Sequence, residues 1–186
     1  MKNELQHTLK ILVSGKVILY PTDTVWGLGC DATDEKAVAQ IYTIKQRIDS
    51  KSMIILVAGM TMLQKYVGTL TPELKEFVKG RSNPTTIIYN DAVGLAKNVI
   101  SADGTIAIRI VQNEFCKKLI RDFGKPIVST SANISGKATP LNYDQIEEQI
   151  LEAVDYSVNL QRDITSTKSS TILKMNQDGS IKVLRE

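Results

Sequence analysis

Short runs of branched and aromatic residues alternate along this chain with longer stretches whose apolar positions recur every three or four residues. Residues 16–20 (KVILY), 53–57 (MIILV), 85–89 (TTIIY), 105–110 (TIAIRI) and 126–130 (PIVST) are of the first kind and are predicted strands. Residues 34–47 are of the second kind: Ala37, Val38, Ile41 and Ile44 fall on one helical face. Residues 113–123 and 143–154 read as helices too, and Gly124 is placed to end the first of them in the left-handed region. Thr71, Pro72 and Glu73 open a further helix with a hydroxyl cap, a proline in the first turn and an early acid; it ends near Gly80. Residues 171–175 and 181–184 flank Asn176-Gln177-Asp178-Gly179, a hairpin turn signal. Interleaved strands and helices closing on a hairpin predict an α/β fold with a mixed, twisted sheet. No linker or repeat interrupts it, so one domain over residues 1–186 is expected.

Composition narrows the chemistry. Of 186 residues, 42% are apolar and 23% charged, which excludes a disordered chain, a collagen and a coiled-coil rod. No apolar run approaches the ~20 residues that span a bilayer. The opening MKNELQHTLK is amphipathic and lacks a signal-peptide apolar stretch, so a cytoplasmic protein is expected. Two cysteines, Cys30 and Cys116, and one histidine, His7, are too few for a disulfide scaffold or a Cys/His zinc site. A histidine-based triad would have to recruit His7 from a polar N-terminal segment, where a surface position is the simpler reading. The chemistry therefore rests on hydroxyls, carboxylates, Lys, Arg and backbone amides, a set suited to anions. The net charge of +3 permits contact with phosphates or RNA without demanding it.

Two phosphate-loop patterns nearly match and fail. Gly27-Leu28-Gly29 has Ala32 where a third glycine is needed, and Gly136-Lys137 is followed by Ala138. Four other segments carry candidate chemistry. Residues 21–29 (PTDTVWGLG) leave the first strand as a polar loop, which is either a ligand loop or a turn in which Thr22 and Asp23 bond their own backbone. Trp26 reads as partly core. Lys45 and Arg47 close a helix, where cations complement the dipole; they converge on a ligand only if the helix has already ended. Arg109 alternates with Ile106, Ile108 and Ile110, so it faces away from them, as a fork for a carboxylate or as an edge-strand cation. Residues 129–136 (STSANISG) follow a buried strand and offer either an anion-binding nest or a capped Asx turn.

In this order and spacing, PTDTVWGLG at 21–29, KQR at 45–47, IAIRI at 106–110, STSANISG at 129–136 and SSTIL at 169–173 resemble the YrdC-like family of L-threonylcarbamoyladenylate synthases. The resemblance covers nearly the whole chain. It implies a twisted-sheet α/β domain with helices around it and a concave positive cleft. It also implies that ATP, L-threonine and bicarbonate give threonylcarbamoyl-AMP and pyrophosphate, with Mg²⁺ entering on the ATP. A separate transferase complex would then use the product to modify tRNA beside the anticodon. Carried over by position, Lys45, Arg47, Ser131 and Asn133 form the catalytic group. Arg47, Lys51, Thr105, Ser131, Asn133 and Arg185 contact ATP, while Thr24, Arg109, Ser129 and Ser170 contact L-threonine. Direct tRNA binding is expected to be weak at most, and no membrane partner is expected. An RNA-binding paralogue that keeps the cleft without turnover, and an enzyme taking its carbamoyl group from another donor, are the competing readings.

Overall fold

The computed structural model describes residues 1–47, 53–68, 70–166, 169–176 and 180–186. Among them nine strands form one mixed sheet. In chain order these are β1 (Ile18–Tyr20), β2 (Gly27–Gly29), β3 (Ile54–Val57), β4 (Thr85–Tyr89), β5 (Ile106–Ile110), β6 (Ile127–Ser131), β7 (Tyr156–Ser157), β8 (Thr171–Met175) and β9 (Ile181–Arg185). Across the sheet they run β7-β1-β2-β6-β3-β5-β4-β8-β9. Three neighbouring pairs are parallel (β1 with β7, β3 with β5, β4 with β8); the rest are antiparallel.

Side chains alternate between the two faces of such a sheet, and each face has its own cover. One face buries Leu19, Ile55, Val57, Ile87, Ile108 and Val128 with residues of three helices. These are α2 (Glu35–Ile44), α3 (Met60–Val67) and α4 (Pro72–Lys79), which contribute Ile41, Leu63 and Leu74. The other face buries Ile18, Tyr20, Leu56 and Ile127 under α1 (Lys2–Val13) and α5 (Glu114–Phe123), through Leu12, Phe115 and Leu119. This second cover stops short. On the same face, one alternation further along β3 and β6, Ile54 pairs with Ser129, and beyond it Ser131 ends β6. Hydroxyls replace isoleucines where the helices end, and a cavity opens there.

The structure departs from the sequence pattern in three places. The helix expected over 143–154 is split into a 3-10 turn, Tyr143–Gln145, and α6 (Glu148–Ala153), with Ile146 extended between them. The split sets Tyr143 edge-on to Trp26, ring centroids 5.0 Å apart. Second, β2 is glycine-rich and carries no strand propensity. It exists because it is hydrogen-bonded between β1 and β6. Third, α3 starts at Gly59 without a side-chain cap. The turn at residues 177–179 lies outside the described residues, although β8 and β9 do pair antiparallel on either side of it. His7 is exposed and packs on the Tyr156 ring, and both cysteines are buried and free. Among the described residues no helix is long and apolar enough to cross a membrane.

Candidate functional site

The cavity has a volume of about 220 Å³. Its lining gathers Thr22, Thr24, Arg109, Ser129, Ser131, Ser170 and Arg185 from five separate segments, with Ile54 and Val25 as apolar wall. No carboxylate lines it among the described residues.

Arg109 comes from β5 and is 2% exposed. Its Nη1 donates to Thr24 Oγ1 at 3.4 Å, and its Nε lies 3.5 Å from Asp23 Oδ2. Burial pulls its pKa down, and Asp23 opposes that pull. Asp23 does not cap its own turn. Its Oδ1 accepts the backbone N–H groups of Gln112 and Asn113 at 3.1 and 2.7 Å, which fastens the 21–29 loop to the start of α5. Thr22 is the residue that closes the local turn, accepting from Thr24 N and donating to the Val25 carbonyl. On the far wall Thr86 and Ser170 share a hydrogen bond of 2.9 Å, and the Arg185 guanidinium donates to the Ser170 carbonyl. Arg109 and Arg185 both line the cavity, and only Arg109 pairs with a carboxylate among the described residues, leaving a positive balance.

A second cluster lies where β6 runs out. Helix α2 ends at Ile44, and Gln46 takes a left-handed φ of 50°. Lys45 and Arg47 therefore leave the helix and turn towards β6. Lys45 is 2% exposed, and its Nζ donates to the carbonyls of Ser131 and Asn133, the latter at 2.6 Å. In return the Lys45 carbonyl accepts Ser135 N–H at 2.9 Å. Burial, with Arg47 nearby, brings the Lys45 pKa down to about 8. Arg47 reaches Thr130 Oγ1 at 3.4 Å, and burial lowers its pKa as well. Asn133 donates through Nδ2 to the carbonyls of Ile134 and Lys137, while its buried Oδ1 has no hydrogen-bond partner among the described residues.

Of the residues singled out by sequence, Thr24, Arg109, Ser129, Ser131, Ser170 and Arg185 line one cavity. Lys45, Arg47 and Asn133 bond to one another's segments around the end of β6 beside it. Thr105 sits at the start of β5, buried, with its hydroxyl on Asp103 at 2.7 Å, and is not part of the lining. Lys51 lies outside the described residues. Thr86, Thr22, Asp23 and Thr139 were not singled out as ligand-contacting positions. Thr22 and Asp23 carried a signal, as the hydroxyl and carboxylate of the polar 21–29 loop; Thr86, in a run of mostly apolar strand residues, and Thr139 carried none.

Such a site, hydroxyls and cations at an uncovered end of an α/β sheet, has the chemistry to accept small anionic molecules. Comparison with known proteins makes this specific: the chain belongs to the Sua5/YciO/YrdC family, described as "Telomere recombination", which matches residues 10–186. A threonylcarbamoyl-AMP synthase of Pseudoalteromonas translucida is 36% identical over 151 residues, covering 80% of this chain and 81% of that one. A putative threonylcarbamoyl-AMP synthase of Methanocaldococcus jannaschii is 33% identical over 182 residues, 98% of this chain and 85% of that one. Among solved structures, P. abyssi Sua5 complexed with L-threonine superposes with a TM-score of 0.86 at 26% identity. That match covers 97% of this chain but 53% of the Sua5 chain, so this chain spans about half its length.

Proposed function

We propose that this chain makes threonylcarbamoyl-AMP from L-threonine, bicarbonate and ATP, releasing pyrophosphate. The observation that carries the reading is Arg109: a buried guanidinium on the cavity wall beside a second one, with Asp23 its only buried carboxylate partner among the described residues. An amino-acid carboxylate would supply the missing negative charge through a two-pronged hydrogen bond. The cavity is smaller than the roughly 300–1,000 Å³ typical of drug-sized ligands, which suits an amino acid and leaves the nucleotide to lie along its open side. The names of the curated relatives and the L-threonine held by P. abyssi Sua5 support the same choice.

In this reading Thr24, Ser129 and Ser170 hold the amino acid around Arg109. Its amine attacks bicarbonate, water leaves, and a carbamate forms on nitrogen. The carbamate oxygen then attacks the α-phosphorus of ATP, the bond to the β-phosphate oxygen breaks, and pyrophosphate departs. No protein nucleophile takes part. The Lys45, Arg47, Ser131 and Asn133 cluster, with Lys51 and Arg185, would hold the triphosphate and neutralise its charge. No group of three or more acidic, histidine or cysteine side chains is placed to hold a metal among the described residues; Mg²⁺ would arrive on, and be held by, the phosphates. A transferase complex acting on tRNA is the proposed consumer of the product, in the cytoplasm.

The test is pyrophosphate release from ATP with Mg²⁺ and bicarbonate, with and without L-threonine. Release that requires threonine, and is not matched by serine or alanine, is expected. A folded, ATP-binding protein with no threonine-dependent release would overturn the reading in favour of an RNA-binding paralogue or another carbamoyl donor.

A further inference from the structure

The sheet has a second cavity, larger than the first at about 280 Å³, on the face that Arg109 does not use. Its floor is Ile87, Ile108 and Ile110, which alternate with Thr86 and Arg109 along β4 and β5 and so point the opposite way. Its rim is basic. Arg81 and Lys117 have no ion-pair partner among the described residues, and Lys79, the third rim cation, pairs only with exposed Glu76. No carboxylate lines it among the described residues. Ile87 and Ile108 are themselves buried, so the apolar surface open to water is that of Ile110, Met60 and Val78. Water over such a surface is readily displaced by an apolar body, and cations gathered on one rim favour a negative group at one end of that body.

The two cavities share a joint. Gln112 lines the second cavity, and its Nε2 donates to the Arg81 carbonyl at 3.1 Å. The backbone N–H of the same residue donates to Asp23 Oδ1, and Asp23 pairs with Arg109. A ligand that moves residue 112 therefore moves the carboxylate that orients the first cavity's guanidinium.

We propose that this cavity is a second ligand site, for a small amphipathic anion with an aromatic or branched apolar body, coupled to the Arg109 site through Gln112 and Asp23. Its apolar body covers Ile110, Met60 and Val78, and its carboxylate, sulfonate or phosphate meets Arg81 and Lys117. Only the identity of the amino acid at the coupled site rests on the function proposed above; occupancy of the second site needs no turnover.

The probe is 1-anilinonaphthalene-8-sulfonate, read by fluorescence on the full chain, beside the neutral N-phenyl-1-naphthylamine. One dye per chain is expected, with affinity falling as salt rises. Arg81→Glu and Lys117→Glu should each weaken it about tenfold or more, the scale of one charge-assisted hydrogen bond. Both substitutions are outside the buried core, and thermal melts verify that they stay folded. The neutral analogue should bind at least tenfold more weakly, and ATP should not displace the sulfonate. Wild-type affinity in both variants, equal binding of the neutral analogue, or displacement by ATP would overturn the site. For the coupling, calorimetry of L-threonine binding with and without saturating dye should show a shift of about threefold or more. Threonine must then change the dye's affinity by the same factor. An unchanged threonine affinity with dye bound overturns the coupling. If threonine does not bind at all, the failure lies with the proposed function and the dye measurements stand by themselves.

Discussion

Replacing Asp23 by Asn keeps the oxygen that accepts the Gln112 and Asn113 N–H groups and removes the charge facing Arg109, setting an amide NH2 where Oδ2 stood against the guanidinium. The ion pair is almost fully buried, with side-chain exposures of 2% and 4%. Two unit charges 3.5 Å apart attract by about 5 kcal/mol at an effective dielectric of about 20. Removing one partner of a buried pair costs about 3–5 kcal/mol, because the other charge is left uncompensated. Both routes give about 4 kcal/mol. For a chain of this size that corresponds to a fall in Tm of roughly 8–16 °C. The assay is urea unfolding of the wild type, Asp23→Asn, Arg109→Gln and the double variant. In the double variant both charges are gone, so its loss should fall short of the sum of the singles by about 2 kcal/mol or more. A loss below about 1 kcal/mol in Asp23→Asn, or additivity within about 0.5 kcal/mol, would refute the reasoning and reduce the pair to a coincidence of position.

Three further outcomes follow from the same geometry. Arg109→Ala should raise the L-threonine requirement more than the ATP requirement in initial-rate kinetics, and an equal loss on both would remove the assigned role. Lys45, with its pKa near 8, loses its positive charge as pH rises through about 8, so kcat/KM for ATP should fall there. A bound triphosphate should move the corresponding fall in kcat to higher pH, and a flat kcat/KM profile from pH 7 to 9 would count against the charge. The unfolded chain keeps that proton up to its ordinary value of 10.5, so Lys45's own contribution to stability grows between about pH 8 and 10.5. Gly29→Ala would bring a Cβ within 2.5 Å of the Tyr20 ring and 2.8 Å of the Val128 carbonyl oxygen. Overpacking of this kind costs about 1–3 kcal/mol, measurable by urea unfolding, and a loss under 0.5 kcal/mol would mean that the strands part freely.

Local pattern carried the elements whose cause is local. Branched runs made β3, β4 and β5 legible, and Thr71 with Pro72 and Gly124 marked helix ends where the structure has them. The same reasoning was blind to β2, whose residues favour no strand and which exists only by pairing on both sides. The candidate site divides along the same line. Arg109 could be picked out because alternation sets it apart from its isoleucine neighbours. Its partner could not, since Asp23 lies 86 positions away and meets it only after β5 and the 21–29 loop are brought together. The Lys45 clamp was hidden for another reason: its acceptors are backbone carbonyls, which no side-chain pattern records.

That clamp also explains why a lysine is buried beside the open end of the sheet. Two carbonyl oxygens accept its N–H groups without neutralising its charge. A carboxylate partner would have stabilised the ammonium better and left the pKa nearer its ordinary value. With carbonyls alone, Lys45 stays poised near neutral pH and its positive charge remains unopposed for a phosphate. Arg109 is treated differently: Asp23 orients it through one edge of the guanidinium, while Arg185 leaves the cavity's balance positive. Both arrangements spend folding stability on charges that an anionic ligand would compensate. Ligand binding should therefore stabilise this chain most when it supplies anions to both clusters at once, with the gain from ATP and L-threonine together exceeding either alone in a thermal melt. Equal gains from ATP alone and from the pair would show that the amino-acid cavity had already found its counter-charge.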